Sequence, residues 1–170
     1  FNPTWTVPRK LMIEDQLPII RSDPEYLERL GFKVFRGWGA NQSEVDPAEI
    51  DWTKLSKNNF PYQLIQQPGP QNALGQVKFM FPNQYDIYLH DTPAQSLFSR
   101  LERTLSSGCI RLERPFELAE RLLANTNGWN KKRIEQTLAT AEPATVVLSE
   151  PVPVYLQYWT TWIDPAGVLQ

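Results

Sequence analysis

The sequence is short of the residues that most often build reactive centres. It contains one cysteine, Cys109, and one histidine, His90. A single cysteine excludes an intramolecular disulfide and any cysteine-rich metal site, and a single histidine argues against the common zinc constellations. No metal site and no cofactor is expected. No apolar run approaches the roughly 18 residues needed to cross a bilayer, so no transmembrane segment is expected in this chain. Charge of one sign is also missing. The 17 Lys and Arg residues stand against 19 Asp and Glu, for a formal net charge of −2 and a pI near 5.5. A nucleic-acid binder normally carries a clustered basic surface, and none is suggested here. Repeats and low-complexity tracts are absent as well. For chemistry beyond carboxylates, one thiol and one imidazole remain.

What is present describes a globular chain. Its 170 residues are 41% hydrophobic and 21% charged, enough for one domain with a full core. The opening stretch FNPTWTVP starts without Met and reads as the end of a strand entering a turn. The expectation is a partial or processed chain with an upstream strand outside it.

Helix signals come early. Pro8 suits a first helical position, with Leu11, Leu17 and Ile20 as apolar contacts. SDPEYLERLG predicts a helix capped by Asp23, opened by Pro24 and ended by Gly31. FKVF reads as a strand. VDPAEIDWTKLS predicts a third short helix with Asp46 as cap and Glu49 in a capping box. From Lys57 to Gln76 the density of Asn, Gln, Pro and Gly predicts a loop. VKFMF and YDIYLHD, separated by PNQ, predict a hairpin whose second strand ends at His90. DTPAQSLFSRLERTLS reads as irregular or partly helical, and SSGCIRL as a turn entering a strand. Pro115 opens an amphipathic helix with Phe116, Ala119, Leu122 and Leu123 on one face. Asn130 caps another, with Ile134 and Leu138 inward. TVVL, VPVYLQYWTTWI and VLQ predict strands, the last two joined by a DPAG turn. The fold class is therefore α+β around a mostly antiparallel sheet.

Cys109 sits in unusual company for a buried apolar thiol. Gly108 lets backbone approach a ligand, and Ser106 and Ser107 are polar. Arg111 shares the face of Cys109 if the segment is extended. A guanidinium there can lower the thiol pKa or bind a substrate carboxylate; a surface ion pair is the plainer reading. A thiol needs a base, and His90 is the single imidazole on offer. The 19 positions between the two are closed by the intervening segment. Tyr88 shares the face of His90 and is either a cleft wall or core.

A histidine at a strand end, a spacer, then Ser107-Gly108-Cys109-Ile110-Arg111 resembles the catalytic signature of the L,D-transpeptidases, the YkuD-type domain. The chain departs from the pattern at Ser107, where the family often has His or Lys. VKFMFPNQYDIYLHDTPAQSLF, the long spacer and FNPTWTVP with its helical sequel look closest to the YcbB-type subfamily. The resemblance covers nearly the whole chain, 1–170, as a single catalytic domain.

The resemblance implies a β-sandwich-like catalytic core with inserted and flanking helices, and a lid over residues 91–106. Leu97, Phe98 and Leu101 would anchor that lid. It implies peptidoglycan cross-linking in the periplasm or cell envelope, with stem peptides as acyl donor and acceptor and carbapenems as inhibitors. Cys109 would be the nucleophile and His90 the base, able to rest as a thiolate–imidazolium pair. Backbone N–H groups around Ser107, Gly108 and Cys109 would hold the oxyanion. Asp91 would orient His90 through its main chain rather than its carboxylate. Arg111 and Tyr88 would face substrate. Three other readings remain: an L,D-carboxypeptidase, another cysteine peptidase of the wall, and an inactive wall-binding fragment. In most papain-like and NlpC-type peptidases Cys precedes His and opens a helix, unlike the order here.

Overall fold

The computed structural model describes residues 1–169. Its strands are β1 (Trp5–Thr6), β2 (Phe32–Arg36), β3 (Ser43–Val45), β4 (Tyr62–Gln66), β5 (Lys78–Phe79), β6 (Leu89–His90) and β7 (Ile110–Arg111). They form a four-stranded sheet ordered β1-β4-β2-β3 and a three-stranded sheet ordered β5-β6-β7. Every pairing is antiparallel except β6 with β7, which is parallel. The α+β, mostly antiparallel class is as the sequence implies.

The principal core lies on the first sheet. Val34 and Leu64, paired in register across β2 and β4, are completely buried with Val7, Leu27, Phe32 and Phe60. A helical run from Arg9 to Ser22 covers them. It is α-helical over Arg9–Leu11 (α1), π-helical over Met12–Gln16 and α-helical again over Leu17–Ser22 (α2). Pro8 stands just outside it as the N-cap residue. Met12, Leu17 and Ile20 point into the core.

Four sequence expectations are corrected. The SDPEYLERLG helix shrinks to one turn, α3 (Tyr26–Arg29), because Asp23 caps a turn through Glu25 N–H at 3.2 Å before the helix begins. The third helix is two separate 3₁₀ turns, Pro47–Glu49 and Trp52–Lys54, each with an aspartate, Asp46 or Asp51, accepting at its own N-terminus. The second aspartate restarts the chain instead of continuing it.

The loop expected from Lys57 to Gln76 contains the most buried strand of all, β4. Its glutamines are internal. Gln66 Nε2 donates to the Leu30 and Gln71 carbonyls at 2.9 and 2.8 Å, and its Oε1 accepts from Ala73 N–H at 2.9 Å. Gln63 donates to the Gly37 carbonyl. A satisfied amide is as buriable as an aliphatic group, so polar composition misleads here.

The strands expected over TVVL and VPVYLQYWTTWI do not form; residues 145–162 carry no regular secondary structure, and Val147, Tyr155, Tyr158 and Trp159 are exposed. β propensity without a partner edge is not enough to make a strand. The DPAG turn is present, with Gly167 N–H donating to the Asp164 carbonyl at 2.9 Å. An isolated bridge joins Ile163 to Leu169, and the last residue of VLQ lies outside the described residues.

Two helices follow the second sheet in the chain. α4 (Pro115–Leu123) opens at Pro115 and buries Ala119 and Leu123. α5 (Lys131–Ala139) is capped by Asn130, which accepts from Arg133 N–H at 2.9 Å, and buries Ile134. The N-terminal segment ties the halves together. Asn2 Nδ2 donates to the Thr137 carbonyl at 3.0 Å, Asn2 N–H donates to Gln76 O at 2.8 Å, and Phe1 stacks on Trp129.

Candidate active site

The second sheet builds the site through its register. Antiparallel β5 and β6 pair Lys78 with His90. Parallel β6 and β7 pair Leu89 with Ile110 and His90 with Arg111. Two ladder bonds lock this pairing: Ile110 N–H donates to the Tyr88 carbonyl at 3.1 Å, and Leu112 N–H to the His90 carbonyl at 2.8 Å. Residues two apart on a strand share a face. Tyr88 and His90 therefore stand on the same side as Cys109 and Arg111, while Leu89 and Ile110 point the other way.

His90 is buried. Its Nδ1 lies 2.5 Å from the main-chain oxygen of Asp91. A carbonyl oxygen only accepts, so Nδ1 carries the proton and Nε2 keeps its lone pair. Burial is the largest influence on the imidazole and lowers its pKa; the Arg111 and Lys78 cations push the same way, against the Asp91 contacts. Burial therefore favours the neutral imidazole.

The Asp91 carboxylate faces away from this chemistry. It accepts from Gln76 N–H at 2.9 Å, from Thr92 N–H at 2.7 Å and from the Gln95 amide at 3.3 Å. Gly75 lies so close that a Cβ there would fall 2.2 Å from Asp91 Oδ2. The carboxylate pins β6 to the preceding loop, while the carbonyl meets His90.

Cys109 is half-buried and free. Its turn is clamped by Ser106, whose Oγ donates to the Cys109 carbonyl at 2.5 Å and accepts from Gly108 N–H at 3.0 Å. Gly108 adopts φ +137°, and a Cβ there would meet only Ile87 Cγ1, at an ordinary 3.9 Å; its role is conformational. Because Ser106 occupies the Gly108 donor, the Ser107 and Cys109 N–H groups are the ones without a protein acceptor among the described residues.

Tyr88 neighbours Cys109. Burial raises its phenol pKa most, reinforced by the charge of Cys109 and a hydrogen bond to it, while a hydrogen bond from Trp5 opposes. Residues 91–106, expected as a lid, contain a 3₁₀ turn over Gln95–Ser99. Leu97 and Phe98 are half-buried, but Leu101 is fully exposed and anchors nothing.

The structure thus brings Tyr88, His90, Cys109 and Arg111 onto one face, places Gly108 and Ser107 at the turn beneath the thiol, and gives Asp91 a split role. Sequence reasoning missed two participants. Lys78 enters the face through the hairpin register, which a long connector leaves unspecified in sequence. Ser106 was visible beside the motif, yet its clamp depends on the turn geometry. Among the described residues no cluster of His, Cys, Asp and Glu could hold a metal ion.

Residues 1–152 match the YkuD family, the L,D-transpeptidase catalytic domain. The chain belongs to the L,D-transpeptidase catalytic-domain family. A Haemophilus influenzae protein named "Putative L,D-transpeptidase" is 39% identical over 168 residues, covering 99% of this chain and 33% of that protein. The chain therefore spans about a third of the length of the curated relative it matches. L,D-transpeptidases act on peptidoglycan, and their domain is a β-sandwich, in keeping with the two sheets here. Among the described residues no helix is long and apolar enough to cross a membrane.

Proposed function

We propose that the chain is the catalytic unit of an L,D-transpeptidase that forms 3→3 cross-links in the cell envelope through a Cys109 thioester. The observation that carries this reading is the shared face of His90, on β6, and Cys109, at the entry to the parallel strand β7, with Nδ1 of His90 committed to the Asp91 carbonyl.

His90 Nε2 takes the thiol proton, and the Cys109 sulfur attacks the carbonyl of the L-centre at the third residue of a tetrapeptide stem. The free N–H groups of Ser107 and Cys109 receive the developing oxyanion. As the tetrahedral carbon collapses, its C–N bond breaks and His90 returns the proton to the departing D-alanine amine. A side-chain amine of a second stem then attacks the thioester and gives its proton to His90, and the thiol is restored. Arg111 binds the stem, residues 91–106 cover the cleft as a lid, and no cofactor enters the cycle.

Disaccharide tetrapeptide tests this directly. The expected result is D-alanine release with a cross-linked dimer, both absent in Cys109→Ala. Tripeptide without dimer makes the enzyme a carboxypeptidase, and neither product contradicts the reading.

A further inference from the structure

Lys78 is a cation in a place that gives it no anion. It sits between buried Val77 and half-buried Phe79, and its antiparallel partner is His90. Directly paired residues project to the same side of a sheet, so the ammonium enters the face that carries His90 and Cys109. Its Nζ lies 3.8 Å from the centroid of the Tyr88 ring, a cation–π contact that holds the stem inward. Burial lowers the lysine pKa; the charges of Cys109 and exposed Asp86 oppose that shift. Among the described residues Lys78 makes no ion pair.

Arg111 repeats the pattern on the other side of His90. It forms no ion pair either, and its Nε is buried without a hydrogen-bond partner. The row Lys78–His90–Arg111 runs across three adjacent strands, a span of roughly 10 Å at the usual strand spacing. A partly dehydrated ammonium and a sealed guanidinium N–H are costly unless a ligand completes them.

We propose that Lys78, with Arg111 across His90, forms a carboxylate subsite that reads the free C-terminal carboxylate of the acyl donor. The proposal rests on the acyl-transfer reading above. With the scissile carbonyl at Cys109, the carboxylate of the leaving residue lies two bonds beyond the scissile nitrogen, roughly 4 Å from the carbon under attack. A cation next to the thiol can therefore reach it. A donor extended by one residue presents a neutral amide there instead. Lys78 thus selects stems that end one residue after the bond to be cut.

The test compares two donors, a tetrapeptide stem with a free C-terminal acid and the same stem with a C-terminal amide. The readout is kcat/KM for acylation in the parent, Lys78→Met and Lys78→Arg. The parent should prefer the acid by about 10–100-fold, the range of a charge-assisted hydrogen bond. Lys78→Met should bring the ratio towards unity, and Lys78→Arg should keep most of the preference. Equal use of both donors by the parent overturns the proposal. So does a Lys78→Met loss equal on both donors, or a shifted pH midpoint for alkylation of Cys109, which would make the thiolate the partner of Lys78. A parent that forms no acyl-enzyme with either donor refutes the acyl-transfer reading itself, and the carboxylate assignment falls with it.

Discussion

His90 decides how the candidate site responds to acid. Its imidazole is held below the ordinary value of 6.5, chiefly by burial and further by Arg111 and Lys78. A base acts only while unprotonated, so the acid limb of kcat/KM for acylation should fall below pH 6.5. Stability follows the same sign. The unfolded chain binds the proton more readily than the native protein, so His90 contributes stability above pH 6.5 that is lost as pH falls through the folded value. A pH–rate profile and thermal midpoints across the same range check both. An acid limb above pH 6.5 would mean that an anion, not two cations, governs the ring. At this scale the sequence was informative. The Ser107-Gly108-Cys109-Ile110-Arg111 motif and the strand-end histidine are local features, and local features survive without a fold. The Ser106 clamp and the Lys78 ammonium were not legible, because a turn geometry and a cross-strand register create them.

At the scale of elements, β4 shows where composition fails. Its Gln66 side chain makes three internal hydrogen bonds, to Leu30, Gln71 and Ala73. Gln66→Leu keeps most of the volume but leaves two carbonyls and one N–H unpaired in the core. The expected loss is about 3 kcal/mol, at about 1–3 kcal/mol for each orphaned group with partial relaxation. It would be read as a lower denaturant midpoint at unchanged slope. A loss below about 0.5 kcal/mol, the level of a surface change, would show that the amide is replaceable. The elements that were legible carry capping or alternation signals of their own. Asn130 announces α5, Pro115 announces α4, and VKFMF with YDIYLHD announces the hairpin. The elements that were misread depend on partners far away in sequence. β4 is a strand because β1 and β2 flank it. The C-terminal aromatic run is irregular because no edge receives it.

For the whole molecule, a large core is joined to a small sheet that carries the candidate site. The first sheet and its helical cover hold most of the buried apolar residues. Each strand of the second sheet is only two residues long; Lys78, His90 and Arg111 lie on β5, β6 and β7, and Cys109 immediately precedes β7. Val7, just after β1 of the first sheet, donates its N–H to the Leu64 carbonyl at 2.9 Å and so fixes the N-terminal segment on β4. Asn2 bonds the end of α5 and the loop before β5. These ties explain how strands so short keep a fixed register. The central claim is that the chain presents an assembled acyl-transfer site with Cys109 as nucleophile. Intact-mass analysis after incubation with a carbapenem tests it most directly, with Cys109→Ala and His90→Ala alongside. The account predicts one drug adduct per chain on the parent, none on Cys109→Ala and slowed formation on His90→Ala. A folded parent that stays unmodified, or an adduct that persists in Cys109→Ala, would contradict it.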